Sequence, residues 1–317
     1  MEQAVNTVVR FFLLFFSIAF IFGCCQKTQK KAFLYFGSFI EVTLPACNSS
    51  LFEDVEKIVK QTHFLLDISS GISAKLNKQG KIKNLELAEL IKKTAEVSEI
   101  TDGLYDITVE PILKIWGFSP VSKGKRIPSE KEIKKALKKV GWNKIKIEDD
   151  LIFTDNCEVN FGSCGKGFLE EKLKKFFAEK KVSFALVDAG GDVFCFGRKK
   201  WKIGIRDPFS KGIFGVIEVQ DKSVATSGGY ENYFEFKGKK YSHIFNPKTG
   251  YPVETDKIQV TVISQSPLFA DIFATVFMLL DEEKIDEISQ EFNLGYLIIY
   301  KNRKIQKNKF FPEIKPI

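Results

Sequence analysis

The strongest constraint on the fold lies in residues 268–280, LFADIFATVFMLL, which predict a helix that is apolar on almost every side. Such a helix is stable in water only when other elements enclose it, so the chain must build a globular fold around it. Asp271 and Thr275 are its two polar residues, and their spacing places both on one face. A buried carboxylate must be protonated, paired with a cation or bound to a metal. These hard oxygen ligands suit Mg²⁺, and a hydrogen bond from Asp271 to the backbone is the alternative.

The composition fits that globular fold and excludes several other classes of protein. With 317 residues, of which 44% are hydrophobic and 28% charged, the chain is neither disordered nor a multi-span membrane protein. Its length predicts one large domain or two of ordinary size. Lys and Arg total 48 against 40 Asp and Glu, a net charge of +8. Only five of these cations are Arg, and the Lys residues alternate with Glu on helix faces, so no nucleic-acid partner is predicted.

The N-terminus predicts an export signal. Residues 11–22 are apolar except for Ser17, a run that is too short to cross a bilayer and of the right length for a secretory signal. Gly23 and Cys24 follow and resemble the lipobox of bacterial lipoproteins, which predicts lipidation of Cys24; an uncleaved anchor or a plain signal peptide is the alternative. We therefore divide the chain into a signal peptide (1–23), a lipid-anchored tether (24–31) and a catalytic domain (32–317). The domain is expected on the extracytoplasmic, periplasmic side of the cytoplasmic membrane.

The remaining patterns predict an α+β fold without repeats. A strand pair is expected between Lys31 and Pro45, and a capping box at Ser50 is expected to open a helix. Further helices are predicted near residues 85–100, after Ser129, from Gly165 and near Pro267, with short β-rich runs between 145 and 299.

Two segments carry residues that suit the chemistry of phosphates and protons. Residues 159–168, VNFGSCGKGF, predict a strand, a glycine-rich turn and a helix, where backbone N–H groups and Lys166 would attract phosphate oxygens. A purely structural turn is equally compatible with this pattern. His243 lies where a strand meets an Asn-Pro turn and is a candidate general base, although a turn-anchoring role is the alternative. The Gly-Gly pair at 190–191 allows either close approach of a ligand or a tight turn.

Seven motifs in order give the chain a resemblance to a known family. They are GLYDITVEP (103–111), WGF (116–118), GKGF (165–168), GGD (190–192), ATSG (225–228), YSHIFNPKTG (241–250) and ADIFAT (270–275). Together they resemble the ApbE family of FAD:protein FMN transferases over residues 32–300. The resemblance implies a bilobal α+β unit with mixed or antiparallel sheets and packed helices. It also implies binding of FAD with Mg²⁺, transfer of FMN to a threonine or serine hydroxyl of an acceptor protein, and release of AMP.

The resemblance also implies roles for individual residues. Asp271 and Thr275 would ligate the metal together with the backbone carbonyl of Ser163, and His243 would accept the hydroxyl proton. The FAD site would be formed by residues that share a position in the family motifs: Asn77, Leu104, Tyr105, Asp106, Lys166, His243 and Ile244. The implied partners are acceptor flavoprotein subunits of membrane redox complexes, with the membrane itself bound through the lipid anchor.

Two other functions stay open at this point. The same site could act as a Mg²⁺-dependent FAD pyrophosphatase, in which water replaces the acceptor hydroxyl and the products are FMN and AMP. It could also belong to a non-catalytic flavin-binding lipoprotein. Acceptor labelling together with AMP release distinguishes all three.

Overall fold

The computed structural model describes residues 27–230 and 232–316 and confirms the predicted α+β fold. Its strands, in chain order, are β1 Thr28–Tyr35, β2 Ser38–Pro45, β3 Lys81–Lys83, β4 Ile145–Glu148, β5 Leu151–Thr154, β6 Phe184–Ala189, β7 Asp192–Gly197, β8 Trp201–Arg206, β9 Ile213–Val219, β10 Lys222–Gly228, β11 Tyr233–Phe236, β12 Lys239–Ser242, β13 Lys257–Ser264, β14 Gly295–Tyr300 and β15 Ile305–Lys307. Eight of them form one antiparallel sheet in the order β1-β2-β6-β7-β10-β13-β14-β15.

Helices cover one face of this sheet. The helices are α1 Phe52–Leu66, α2 Ile72–Gln79, α3 Leu85–Ile100, α4 Glu110–Trp116, α5 Glu130–Leu137, α6 Gly165–Glu179, α7 Pro267–Val276 and α8 Glu282–Glu291. Helix α7, the apolar helix that the sequence singles out, packs on β10, β13 and α6. Its Phe273 and Ile272 are fully buried, as expected for a helix that is apolar on almost every side.

The other face of the sheet is covered in part by the two-stranded ribbon β8–β9. Ile205 and Ile217 of the ribbon pack against Val193, Ile263 and other apolar residues of the sheet. Two smaller units complete the fold: the sheet β3-β5-β4 and the hairpin β11–β12.

Local sequence signals explain most helix boundaries, with two exceptions. Ser129 and Glu132 form the predicted capping box at the start of α5, and Asn84 caps α3 by accepting a hydrogen bond from Leu87 N–H. The capping box predicted at Ser50 is wrong, because residues Ala46–Leu51 form a 3-10 helix that runs directly into α1 and supplies its first turn. Helices α2, α4 and α8 were not among the predicted helices.

Two tight turns lie side by side at one end of the strands of the large sheet. Residues 36 and 37 join β1 to β2, and residues 190 and 191 join β6 to β7, all four with positive φ. The Gly-Gly pair is therefore a tight turn, and a side chain on Gly190 would meet Ser38 Oγ at 2.3 Å. Because Ile40 pairs with Ala189, both turns lie at the same end of the sheet. The functional cleft opens at this end.

The predicted signal peptide and Cys24 lie outside the described residues. Strand β1 begins at Thr28, so the last four residues assigned to the tether belong to the sheet. Within residues 27–230 and 232–316, no helix has the length and apolar character needed to cross a membrane.

Candidate functional site

A cleft of about 460 Å³ opens at the sheet end that carries the two turns. It brings together residues that are far apart in sequence. Nine of the ten residues predicted for the metal and FAD site line this cleft: Leu104, Tyr105, Asp106, Ser163, Lys166, His243, Ile244, Asp271 and Thr275. Asn77 is the exception. The cleft therefore has the dimensions of a small-molecule site with polar groups gathered from several elements.

Asp271 lies at the base of this cleft and is only 6% exposed. Its Oδ2 accepts a hydrogen bond of 2.8 Å from the backbone N–H of Gly167, in the first turn of α6. Burial and the nearby carboxylate of Asp192 raise its pKa to about 7, against the opposing effect of Lys166. The hydrogen bond from the backbone to Asp271, the predicted alternative to a bound metal, is thus present. The carboxylate still faces the cleft, and it half-ionises near neutral pH.

Helices α6 and α7 approach closely at this point because residue 167 is glycine. A Cβ atom there would lie 2.6 Å from the carbonyl oxygen of Pro267 and 2.7 Å from Cβ of Asp271. The absence of a side chain thus lets the N-terminus of α6 meet Asp271 directly. Such a helix start stabilises negative charge, so the same turn that holds Asp271 also suits phosphate.

Lys166 points its ammonium group at Asp192, a residue that was not predicted to belong to the site. The Nζ–Oδ2 distance is 2.5 Å, and Asp192 also accepts a hydrogen bond of 3.0 Å from Thr226 N–H. Although burial disfavours the charged ammonium, Asp192 and Asp271 together raise the pKa of Lys166. The cation is therefore fixed at the cleft wall. The GGD motif was the signal for Asp192, but only the sheet register shows that its side chain faces the cleft.

Thr275 has a hydroxyl partner across the cleft floor that was also missed. Its Oγ1 lies 3.0 Å from Oγ of Ser227, at the end of β10. Ser227 belongs to the ATSG motif and lines the cleft. Paired hydroxyls fix each other's rotamers, which holds the Thr275 oxygen in place at the cleft.

His243 has a defined tautomer. Its Nδ1 lies 3.0 Å from the backbone carbonyl oxygen of Asn232, which can only accept, so Nδ1 carries the proton and Nε2 keeps its lone pair. Burial lowers the pKa of the imidazole, and the charges of Lys125 and Lys166 lower it further, against the effect of the Asn232 carbonyl. A neutral imidazole with a free Nε2 beside the cleft can accept a proton at neutral pH.

Leu104, Tyr105 and Asp106 of the GLYDITVEP motif form one wall of the cleft. Tyr105 is buried, accepts a hydrogen bond of 3.3 Å from Ser163 Oγ, and has its pKa raised by burial. Asp106 lines the cleft, but its oxygens accept from Thr108 N–H and Oγ1 and from Trp142 N–H. The protein thus satisfies this carboxylate internally, and Asp106 shapes the wall.

Asn77 lies outside the lining of the cleft, and its predicted place in the FAD site stays a prediction. Its side-chain amide donates to Val159 O at 2.9 Å and its Oδ1 accepts from Val159 N–H at 2.7 Å. Both hydrogen-bonding ends of the amide are therefore used to fix the strand-like segment before the glycine-rich turn. From that position Asn77 supports the turn that carries Ser163 and Lys166.

Phe36 is a further cleft residue that sequence reasoning missed. It adopts φ of 56°, an uncommon left-handed conformation for a bulky side chain, and lines both the main cleft and an adjoining pocket of about 180 Å³. His63 lies in that second pocket, with its ring 5.2 Å from that of Phe36. No local sequence signal marks either residue as part of a site.

The donor set, rather than a cluster of acids, determines what metal could bind here. Within the described residues, no group of three or more His, Cys, Asp and Glu side chains is arranged to hold a metal. A metal at Asp271 would instead rely on one carboxylate with hydroxyl and carbonyl oxygens, the ligand type that suits Mg²⁺. The cleft offers those oxygens from Thr275, Ser227 and Ser163.

Comparison with known proteins gives one consistent result. The profile of the ApbE family matches residues 36–298. A protein from Escherichia coli K12 named FAD:protein FMN transferase is 29% identical over 244 residues, covering 72% of this chain and 69% of its own. A protein of the same name from Buchnera aphidicola is 33% identical over 261 residues, covering 78% and 76%.

Solved structures agree with these relatives. The Thermotoga maritima ApbE protein superposes with a TM-score of 0.83 at 25% identity, covering 89% of this chain and 97% of its own. The apo flavinyl transferase ApbE of Pseudomonas stutzeri gives 0.80 at 27% identity, covering 90% and 95%. On the sequence match and the shared fold, this chain belongs to the ApbE family.

Proposed function

We propose that this protein transfers FMN from FAD to a threonine or serine hydroxyl of an acceptor protein and releases AMP. The observation that carries the proposal is the contact between buried Asp271 and the Lys166-bearing turn, in a cleft that also holds a neutral His243. This arrangement supplies a carboxylate for a metal, a cation and helix N-terminus for phosphate, and a proton acceptor. The activity is the one named for the relatives from Escherichia coli and Buchnera aphidicola.

The residues present fit a Mg²⁺ ion. Asp271 and Thr275 would hold it, with the Ser163 carbonyl oxygen as a third ligand, since all three line the same cleft. Bound there, the ion would neutralise charge on the diphosphate of FAD. It would also supply the counter-charge that a buried carboxylate needs.

The chain's own residues account for the other requirements of the reaction. Lys166 and the N-terminal amides of α6 hold the diphosphate oxygens and position the FMN-side phosphorus. His243 Nε2 accepts the proton of the acceptor hydroxyl as its oxygen attacks that phosphorus. The bond from this phosphorus to the bridging oxygen breaks, and AMP leaves with the bridging oxygen and its electron pair. Phe36, Leu104 and Ile244 exclude water from the cleft walls.

The test is a single reaction of the purified protein with FAD, Mg²⁺ and a threonine-containing acceptor. We expect AMP release together with a flavin covalently attached to the acceptor. AMP without labelled acceptor would instead assign the FAD pyrophosphatase activity. Bound FAD without AMP would assign a flavin-binding protein and overturn the enzymatic proposal.

We also propose that Cys24 carries lipid and holds the catalytic domain at the extracytoplasmic face of the cytoplasmic membrane. The support is the apolar run 11–22 followed by Gly23 and Cys24. The acceptors are then flavoprotein subunits of membrane redox complexes with an extracytoplasmic segment. Mass spectrometry of the N-terminal peptide is expected to show diacylglycerol on Cys24, and an unmodified Cys24 within an intact apolar run would contradict lipidation.

A further inference from the structure

The end of the large sheet opposite the cleft carries a group of positively charged side chains. Thr28 pairs with Pro45, and Phe184 pairs with Gly197, so these residues mark one end of the sheet, whereas Phe36 and Asp192 mark the cleft end. The segments next to the end marked by Thr28 and Phe184 carry six cations: Lys27, Lys180, Lys181, Arg198, Lys199 and Lys200. We call these six residues the basic end.

The basic end is compact because the strands that lead to it are neighbours. Lys27 accepts a backbone hydrogen bond from Ala46 N–H, and Arg198 N–H donates to Ser183 O. The ends of four adjacent strands, β1, β2, β6 and β7, span about 15 Å here, at about 4.8 Å per strand, and the six residues lie within four residues of those ends. Five of the six residues are exposed, and Lys199 is half-buried over the ring of Trp201, with its Nζ 4.1 Å from the ring centroid.

None of the six cations forms an ion pair with a carboxylate among the described residues. Elsewhere on the surface, ion pairs are common, as between Lys30 and Glu41 or Lys31 and Glu56. Exposed carboxylates also lie at this end of the molecule. Glu53 and Asp54 lie in the first turn of α1, where the helix dipole favours them, and Asp221 accepts a hydrogen bond from Gly197 N–H. Glu179 ends α6, and Glu218, which pairs with Lys315, lies near Lys200. The six cations therefore have carboxylates in their surroundings but are not held in ion pairs with them.

The chain leaves the structure at the basic end, and only a few residues separate it from the apolar segment. Lys27 is the first described residue, and Cys24 lies three residues before it. Three residues span at most about 11 Å. A lipid on Cys24, or an apolar run 11–22 left in the bilayer, would therefore hold the basic end against the membrane surface.

We propose that the basic end binds the anionic surface of the membrane and so orients the catalytic domain. This inference rests on the membrane attachment proposed above and adds a second, electrostatic contact to it. Each Lys or Arg near an anionic bilayer strengthens binding about fivefold, so a group of six cations that form no ion pair among the described residues fits such a surface. Strand β1 spans about 26 Å, which places the cleft at roughly that height above the lipid headgroups, facing away from them. Acceptors are then reached through segments that extend well beyond the bilayer.

The test uses the full-length protein, purified in detergent and placed in nanodiscs of phosphatidylcholine alone or of phosphatidylcholine with phosphatidylglycerol. Lysine acetylation is followed site by site with mass spectrometry. We expect Lys180, Lys181, Lys199 and Lys200 to be modified about fivefold more slowly on the anionic discs than on the neutral ones. High salt is expected to remove this protection because it screens surface charge. The lysines of α5, Lys131, Lys134 and Lys135, are the matched control and are expected to react equally on both discs.

A charge-reversal pair extends the test. The double variant Lys199→Glu and Lys200→Glu should lose the protection of Lys180 and Lys181 while FMN transfer to a soluble acceptor is unchanged. The control pair Lys134→Glu and Lys135→Glu should keep that protection. Equal reactivity of the basic end on both discs, or equal protection of the α5 lysines, would overturn the inference. A chain that fails to associate with either disc contradicts the anchor as well, and a loss of transfer in solution concerns the proposed function alone.

Discussion

At the residue scale, the site depends on a few charges held where little water reaches them. Asp271 and Asp192 face one cation, Lys166, so the ionised side chains at this point of the cleft carry more negative than positive charge. Glu170 lies beneath them, 1% exposed, with one oxygen bound by Ser223 and the other without a partner among the described residues. Burial and the neighbouring carboxylates raise its pKa, which favours the neutral acid over the carboxylate. A divalent cation at Asp271 would correct the imbalance.

Replacing Asp271 with Asn should abolish FMN transfer and stabilise the metal-free protein above neutral pH. The pKa of Asp271 is raised from 3.8 to about 7 in the folded protein. The protonated carboxyl therefore contributes free energy of folding that is fully present below pH 3.8 and is lost as pH rises through 7. An amide never ionises, so the variant avoids this loss, worth a few kcal/mol at about 1.4 kcal/mol per unit of pKa. Thermal unfolding in EDTA at pH 5 and pH 8 measures it. Exposed Asp256→Asn is the control, and a destabilised Asp271→Asn at pH 8 would contradict the assignment.

Replacing His243 with Gln should slow transfer about a hundredfold or more and change FAD affinity little. The Gln amide can still donate to the Asn232 carbonyl, so the loop stays in place while the proton acceptor is lost. In the unmodified protein saturated with Mg²⁺, which keeps Asp271 ionised, transfer should fall as pH drops below 6.5, because the pKa of His243 is lowered from that value and protonation removes its lone pair. Stopped-flow transfer rates and FAD titration measure the two effects. Equal losses of binding and rate would give His243 a structural role.

At the element scale, the site exists because two helices approach without a side chain between them. The N-terminus of α6 meets α7 at Gly167, and α7 is otherwise apolar, so it lies in the core on β10 and β13. The end of α7 is fixed by Lys257 of β13, whose ammonium group donates to the carbonyl oxygens of Phe277 and Leu280. Burial lowers the pKa of this lysine to about 8. Both contacts set the position of the helix that carries Asp271 and Thr275.

Replacing Gly167 with Ala should destabilise the protein by about 1–3 kcal/mol, the usual cost of an extra methyl group in a packed interior. The new Cβ would overlap the Pro267 carbonyl and Cβ of Asp271, so α6 and α7 must move apart. The hydrogen bond to Asp271 lengthens as a result, and Mg²⁺ affinity should fall with stability. Chemical denaturation and Mg²⁺ titration measure both. Gly212→Ala, in an exposed turn with a flexible neighbour, is the control and should change neither.

At the scale of the whole molecule, the cleft has no local origin. Its walls come from residues between 36 and 279, drawn from the β1–β2 turn, the segment after α3, the start of α6, the end of β10 and α7. A ligand in this cleft therefore contacts most of the folding unit. Binding should stabilise the domain as a whole rather than one part of it.

FAD with Mg²⁺ should raise the unfolding temperature in a single cooperative transition. A ligand at a hundred times its Kd adds about 2.7 kcal/mol, which corresponds to several degrees for a domain of this size. Differential scanning calorimetry with FAD alone, Mg²⁺ alone and both measures the effect. The Mg²⁺-dependent part should be missing in Asp271→Asn. Two separate transitions, only one of them shifted, would contradict a cleft shared by the whole fold.

Sequence alone located five of the eight helices of the described residues, and most of the residues that line the cleft. The apolar pattern around Asp271 required burial, the Ser129 capping signal located α5, and the motif order gave the family. These features are local, because periodicity and capping act over a few residues. They do not carry the pairing of distant strands, which determines the side-chain neighbours in space.

Only the tertiary structure decided how those residues meet. Asp192 and Ser227 enter the site through sheet register, and both ends of the Asn77 amide bond to Val159, 82 residues away along the chain. The basic end likewise arises because separate turns close at one end of neighbouring strands. Each depends on long-range packing and strand pairing, whose partners no short stretch of sequence specifies.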